Sequence, residues 1–186
     1  MREAAFAVAD TFSAATRLSV TRIRLTNFRC YAAAAFDGDE RPVVLTGPNG
    51  AGKTNMLEAI SYLAPGRGLR QAKLTDVDRR DGATGWAVAA TVSSPGGPIE
   101  IGTGRDPEAT RRAVRINGAP ANGQGALAEY VSVVWLTPQM DRLFLDGATA
   151  RRRFLDRLIF GFDAEHTVRV SAYEHAMRER ARLLKY

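Results

Sequence analysis

Gly47-Pro48-Asn49-Gly50-Ala51-Gly52-Lys53-Thr54 satisfies the pattern G-x-x-x-x-G-K-[ST] at every defined position. An apolar run, Pro42-Val43-Val44-Leu45, precedes it, and a helix-compatible segment from Asn55 to Leu63 follows. Strand, loop and helix in that order separate a phosphate-binding loop from a chance match. Gly47, Gly50 and Gly52 let backbone N–H groups approach phosphate oxygens with no Cβ in the way. A helix starting near Lys53 turns its unpaired N–H groups and the positive end of its dipole toward the same anion. Lys53 adds a compact charge for the β- and γ-phosphates, and the Thr54 hydroxyl is placed to ligate Mg²⁺ held through the nucleotide. A plain glycine-rich turn would need neither the lysine nor the flanking elements. The octapeptide points to a nucleoside triphosphate ligand.

At 186 residues the chain can build one sizeable core, or one domain and the start of another. It has no run of about 18 apolar residues, so no membrane span is expected, and its N-terminus lacks the pattern of a secretory signal. The single cysteine, Cys30, excludes an internal disulfide and fits a reducing cytoplasm. His166, His175 and Cys30 make no metal-ligand set, which leaves Mg²⁺ bound through nucleotide as the implied metal. The 26 Lys and Arg against 20 Asp and Glu give a net charge of +6, and only Lys53, Lys73 and Lys185 are lysines. Such an arginine excess suits a polyanionic partner such as nucleic acid, and equally a solvated basic surface.

Working outward from the loop, residues 1–17 are alanine-rich and without period, and read as a mobile leader. Ser19 to Thr26 alternates apolar and polar residues, a strand exposed on one face. Asn27-Phe28-Arg29 breaks it, and Tyr31 to Phe36 reads as a second strand. Asp37-Gly38-Asp39 then reads as a hairpin turn into a strand at Arg41 to Leu45. After the loop, Met56, Leu57, Ile60 and Leu63 share one helical face, ended by Pro65-Gly66. Arg67 to Lys73 carries three basic residues in seven, a loop as compatible with solvent as with phosphate. Trp86 to Val92, Ile99 to Thr103 and Arg111 to Ile116 read as an inserted antiparallel sheet, with Asn117-Gly118 as a hairpin turn. Val131 to Leu136 reads as a buried strand, and Thr137-Pro138 as a helix start. Leu143-Phe144-Leu145-Asp146 superficially resembles a Mg²⁺-holding strand but reads better as a helix end and turn. Arg151 to Phe162 has an apolar face of Phe154, Leu155, Leu158 and Ile159. Asp163 to Tyr186 reads as one long helix capped by Asp163 and continuing past the last residue.

With these residues in place, the chain resembles the N-terminal part of the RecF family, bacterial DNA-repair ATPases of the SMC/ABC type. The resemblance runs from about Val20 to Tyr186. It rests on Leu25-Thr-Asn-Phe-Arg-Cys-Tyr31, Gly47 to Ile60, Val114-Arg-Ile-Asn-Gly118 and Arg151-Arg-Arg-Phe-Leu-Asp156. It implies an α/β fold of the P-loop NTPase kind, an ABC/SMC-type head. A mixed sheet would carry the phosphate loop, flanked by an antiparallel sheet and a C-terminal helical segment. The implied division is a leader at 1–17, an ATP-binding lobe at 18–145, and the start of a truncated helical second lobe at 146–186. The implied ligands are ATP and Mg²⁺. The implied partners are single-stranded or gapped DNA, the mediators RecO and RecR, and a second copy in an ATP-dependent homodimer. The implied roles are RecA loading, recombinational repair and SOS induction in the cytoplasm. The resemblance also implies that Arg29 sits near the nucleotide and that Gln139 helps position Mg²⁺ or the attacking water. The family's signature loop and Asp-Glu strand are missing from the residues given, so these residues are expected to bind ATP weakly without turning it over. Arg67, Arg70, Arg151, Arg152 and Arg153 are the candidates for touching DNA.

Two other classes share the loop. The nucleotide-binding subunit of a membrane transporter would not explain the Asn-Phe-Arg-x-Tyr opening, the long insertion or the arginine excess. A small-molecule phosphotransferase would need an acceptor pocket that no carboxylate or lid motif announces.

Overall fold

The computed structural model describes residues 18–138, 140, 145, 147–160, 163 and 165–184. The leader at 1–17 and Gln139 lie outside the described residues. Six strands form one antiparallel sheet in the order β2-β1-β3-β4-β5-β6. They are β1 Ser19–Phe28, β2 Tyr31–Asp37, β3 Trp86–Ser93, β4 Ile99–Arg105, β5 Ala113–Ile116 and β6 Ala119–Pro120. The loop helix is α1 Lys53–Ser61, and α2 Ala148–Phe160 and α3 His166–Leu183 come later in the chain.

The period-two pattern of β1 places Ile23 and Leu25 in the core and Arg22 and Arg24 on the open face. There Asp37 of β2 accepts from Arg22 Nε at 2.9 Å and from Arg24 Nη1 at 3.1 Å. Opposite Ile23 and Leu25 stand Ala90 and Val88 of β3, so the buried faces of neighbouring strands are in register. Ala59, Tyr62 and Leu63 of the loop helix and its C-terminal turn join these strands in one core, together with Val77, Leu127 and Val131. Its centre is aromatic: Phe28, Tyr62 and Trp86 meet edge-on or tilted, with centroids 5.0–6.0 Å apart. Asn117 and Gly118 both take positive φ, 50° and 80°, the conformation of a two-residue hairpin, and they turn β5 into β6.

The α/β organisation expected from sequence holds, with differences in how it is assembled. The strands read as an insertion do not stand apart: β3 pairs with β1, so they extend the first hairpin into a single sheet. The first hairpin turns at Arg29-Cys30, and no strand follows Asp37-Gly38-Asp39, so the second hairpin expected there does not form. Arg41 to Leu45, expected as a strand, and Val131 to Leu136, expected as a buried strand, lie outside any strand. Val44 is 82% exposed and Leu136 77% exposed. Hydropathy records a segment's tendency to be covered; a strand also needs a neighbour, and no described strand pairs with either segment. The loop helix buries Glu58, Ala59, Tyr62 and Leu63, while Leu57, expected on its inner face, is exposed. Asp163 does not cap the last helix directly. Its carboxylate accepts from the Glu165 amide at 3.0 Å and its carbonyl from the His166 amide at 3.1 Å, a turn preceding α3. α3 packs against α2, where His166 Nε2 lies 3.0 Å from Asp156 Oδ1. Val168, Tyr173 and Met177 of this helix, and Leu184 just past it, are exposed.

Candidate nucleotide site

The phosphate loop leaves the sheet after β2 and returns as α1, so its shape is set by three glycines. Gly47, Gly50 and Gly52 have φ of 139°, 86° and 93°, a region that side chains rarely enter. Gly52 is held by space as well: a Cβ there would lie 2.8 Å from Tyr31 Cζ and 3.0 Å from Cys30 Sγ. α1 begins directly after Gly52, whose carbonyl accepts from the amides of Asn55 at 2.7 Å and Met56 at 3.0 Å. No side chain caps this helix, so its first N–H groups are available to an anion. Lys53 Nζ donates to the loop's own carbonyls, Gly47 O at 2.7 Å and Pro48 O at 2.8 Å. A cavity of about 350 Å³ opens over the loop, lined by Asn49, Gly50, Gly52, Lys53 and Thr54 together with Cys30, Asn55, Arg70 and Arg80. All the chemistry read from the octapeptide meets there: curled backbone, helix terminus, ammonium and the Thr54 hydroxyl.

Behind the loop lies a buried ionic cluster. Glu58 is fully buried on α1. It accepts from Arg29 Nε at 2.9 Å, from Arg29 Nη2 at 2.6 Å and from Arg70 Nη1 at 2.5 Å. Burying a carboxylate is costly unless donors and countercharge accompany it, and the two guanidiniums supply both. The hydrogen bond to Glu58 raises the Arg29 pKa against the opposing effect of burial. Arg29 gets its reach from the backbone: with φ of 55° it sits at the tight β1–β2 turn, its amide on Val77 O and its Nη1 on Asp76 O. The structure thus places Arg29 against the side of α1, with its guanidinium committed to Glu58, and it does not line the cavity over the loop. Arg70 does line it, and Nη1 bridges Glu58 to Asn55 Oδ1 at 2.9 Å.

Sequence reading missed Glu58 and Arg80. The only signal for Glu58 was an acidic residue on the buried side of a helix followed by an arginine-rich loop. Arg80 follows a turn that bonds back to Arg29, through the Arg80 amide and the Arg29 carbonyl at 3.3 Å, a long-range contact with no local pattern. Of the other basic candidates, Arg67 belongs to a separate cavity and Arg151 and Arg152 are exposed on α2. The Arg153 side chain, like Gln139, lies outside the described residues. Among the described residues no group of three or more His, Cys, Asp and Glu could hold a metal ion. Thr54, in the lining of this cavity, is a residue that could hold a cation together with the nucleotide's own oxygens.

A glycine-shaped loop feeding an uncapped helix, beside an antiparallel sheet, defines the nucleotide-binding lobe of a P-loop NTPase. An AAA domain profile matches residues 22–113. The DNA replication and repair protein RecF of Rhizobium rhizogenes is 51% identical over 170 residues, 90% of this chain and 45% of that protein. RecF of Agrobacterium fabrum is 52% identical over 171 residues, with 90% and 46% covered. A solved structure of the recombination mediator protein RecF with ATPrS, in the RecFOR pathway, superposes with a TM-score of 0.77 at 23% identity, covering 90% of this chain and 45% of its own. The chain belongs to the RecF family, corresponding to its N-terminal part, and spans about half the length of the curated relatives it matches.

Proposed function

We propose that this chain is the ATP-binding lobe of an ATP-switched DNA repair and replication protein. The observation that carries the reading is the phosphate loop itself: three positive-φ glycines, an uncapped helix start, and Lys53 and Thr54 at the rim of one cavity. Triphosphate binding would exchange the loop carbonyls on Lys53 for phosphate oxygens, with backbone N–H groups closing on the rest. Mg²⁺, when bound with the nucleotide, neutralises the phosphates; Thr54 is the protein group that would hold it. Residues 18–145 form this lobe and 146–186 begin a helical second lobe. The whole protein then binds gapped or single-stranded DNA in the cytoplasm as an ATP-dependent homodimer with weak, DNA-stimulated ATPase activity. It acts with RecO and RecR in RecA loading, recombinational repair and SOS induction.

The names of the relatives, DNA replication and repair proteins, favour this reading over a transporter subunit or a small-molecule phosphotransferase. In addition, no helix among the described residues is long and apolar enough to cross a membrane. The test is binding of a fluorescent ATP analogue with Mg²⁺, wild type against Lys53→Ala, repeated with gapped DNA. Saturable binding lost in the variant is the expected result. Undiminished binding by Lys53→Ala would overturn the site.

A further inference from the structure

A second and larger cavity, about 810 Å³, opens between the loop that follows α1 and the connection from β4 to β5. Five cations line it, Arg67, Lys73, Arg105, Arg111 and Arg112, against one carboxylate, Glu108. Two of the five are fixed in the wall. Arg112 donates to three carbonyls at the C-terminal end of the loop helix: Gly66 at 3.0 Å, Tyr62 at 3.0 Å and Ala64 at 3.1 Å. Its guanidinium carbon lies 5.4 Å from the Tyr62 ring centre. Arg105 donates to Asp106, Pro107 and Ala109 carbonyls and pairs with Asp78. Both are more than nine-tenths buried, and each keeps a buried Nε with no hydrogen-bond partner among the described residues. Burial pushes the Arg112 guanidinium down to about 10, so it remains charged at neutral pH.

The other three, Arg67, Lys73 and Arg111, are exposed and make no side-chain ion pair or hydrogen bond among the described residues. Elsewhere the chain's exposed arginines commonly find a carboxylate, as Arg22, Arg24 and Arg41 do. Positive charge concentrated in a concave wall focuses the field into the opening and selects for an anion. Leu74 is the one large apolar side chain in the lining, and it is partly buried. A protein partner would need aromatic or aliphatic anchors that this wall does not offer.

We infer that this cavity grips the sugar–phosphate backbone of a nucleic acid strand, with Arg67, Lys73 and Arg111 as the phosphate contacts and Arg105 and Arg112 as fixed positive wall. The inference rests on the DNA-binding reading above and adds the place on this chain where the strand lies. It uses the loop between α1 and β3 that also supplies Arg70 to the nucleotide cavity.

The test is a titration of fluorescein-labelled thirty-nucleotide single strand and thirty-base-pair duplex against the chain at several salt concentrations. Arg67→Ala/Lys73→Ala/Arg111→Ala is compared with Arg22→Ala/Arg24→Ala/Arg41→Ala, which removes equal charge from the far edge of the sheet. Circular dichroism melts check that both variants fold. The cavity variant is expected to bind at least about tenfold more weakly near 0.1 M salt. Its plot of log K against log salt should flatten by about 2–3, three contacts at roughly 0.7–0.9 each. The control should keep the wild-type slope. Equal losses in both variants would overturn the cavity while leaving DNA binding intact. So would a cavity variant that stops binding polyglutamate but still binds DNA, which would assign the wall to an acidic polypeptide. No binding of either DNA by the wild type would sink the DNA reading itself, and the cavity with it.

Discussion

Arg29→Ala tests whether the phosphate-loop helix is held by a buried ion cluster. The substitution removes two of the three hydrogen bonds to a fully buried Glu58, at 2.9 Å and 2.6 Å, and the bond from Arg29 to Asp76 O. Hydrogen bonds to a charged group contribute about 1.5–3 kcal/mol each, and stripping one partner from a buried pair costs about 3–5 kcal/mol. Arg70 stays, but its side chain is 41% exposed and partly screened, so it offsets only part of the loss. A loss of about 3–5 kcal/mol lowers the melting temperature by roughly 6–20 °C in a chain of this size. The assay is a thermal melt by circular dichroism, supported by urea titration. Replacing the pair by apolar groups, Arg29→Met with Glu58→Leu, should recover at least half of the loss, because it leaves no carboxylate stranded. An Arg29→Ala melt within about 2 °C of wild type, or a double variant less stable than either single one, would refute the reasoning. Nucleotide affinity measured well below the melt then separates two roles. A loss restored in the double variant comes from support of the helix; a loss that persists comes from direct contact with nucleotide.

Three further outcomes follow from other parts of the structure. Gly52→Ala forces a side chain into φ of 93° against Tyr31 and Cys30, a strain of about 1–3 kcal/mol; triphosphate binding should fall below detection in the fluorescence titration while the far-UV spectrum is retained. Trp86→Ala removes the centre of the aromatic cluster and the donor to Leu74 O at 3.0 Å, costing about 3–5 kcal/mol, read as a lower urea midpoint. Hydrogen bonds from arginine side chains hold three carboxyls, Asp37 (first from Arg22), Asp39 (Arg41) and Asp81 (Arg79), below their ordinary 3.8. Their contribution is complete above that value and is lost as pH falls through the lower folded values. Melts from pH 7 to pH 2 should therefore drop below about pH 4, with a shallower drop in Asp37→Asn.

Local chemistry made the phosphate loop, β1, β3, β4 and the Asn117-Gly118 hairpin legible in the sequence, since each is specified by residues a few positions apart. The buried carboxylate on α1 was not, because Glu58 is explained only by Arg29 and Arg70, which reach it from 29 and 12 residues away. Arg29 itself was singled out through a family motif, and the structure shows what that arginine touches: helix α1 rather than the cavity. Arg41–Leu45 and Val131–Leu136 failed as strand readings for a related reason. Their composition reports a preference for cover, whereas pairing is a property of neighbours. Gln139 and the leader at 1–17 lie outside the described residues, so those readings stand as expectations.

The two hydrogen bonds from Lys53 to the Gly47 and Pro48 carbonyls make ligand capture an exchange reaction rather than a simple encounter of opposite charges. An anion that draws the ammonium away from the loop would give up these two charge-assisted bonds in exchange for its own, the third N–H being open to it from the start. A single phosphate returns little more than it removes. A triphosphate chain, reaching the ammonium and the helix amides together, returns several bonds for the two broken. Displacing the carbonyls costs every such anion alike, so a preference for the longer polyphosphate would come from the helix amides that only the longer chain reaches.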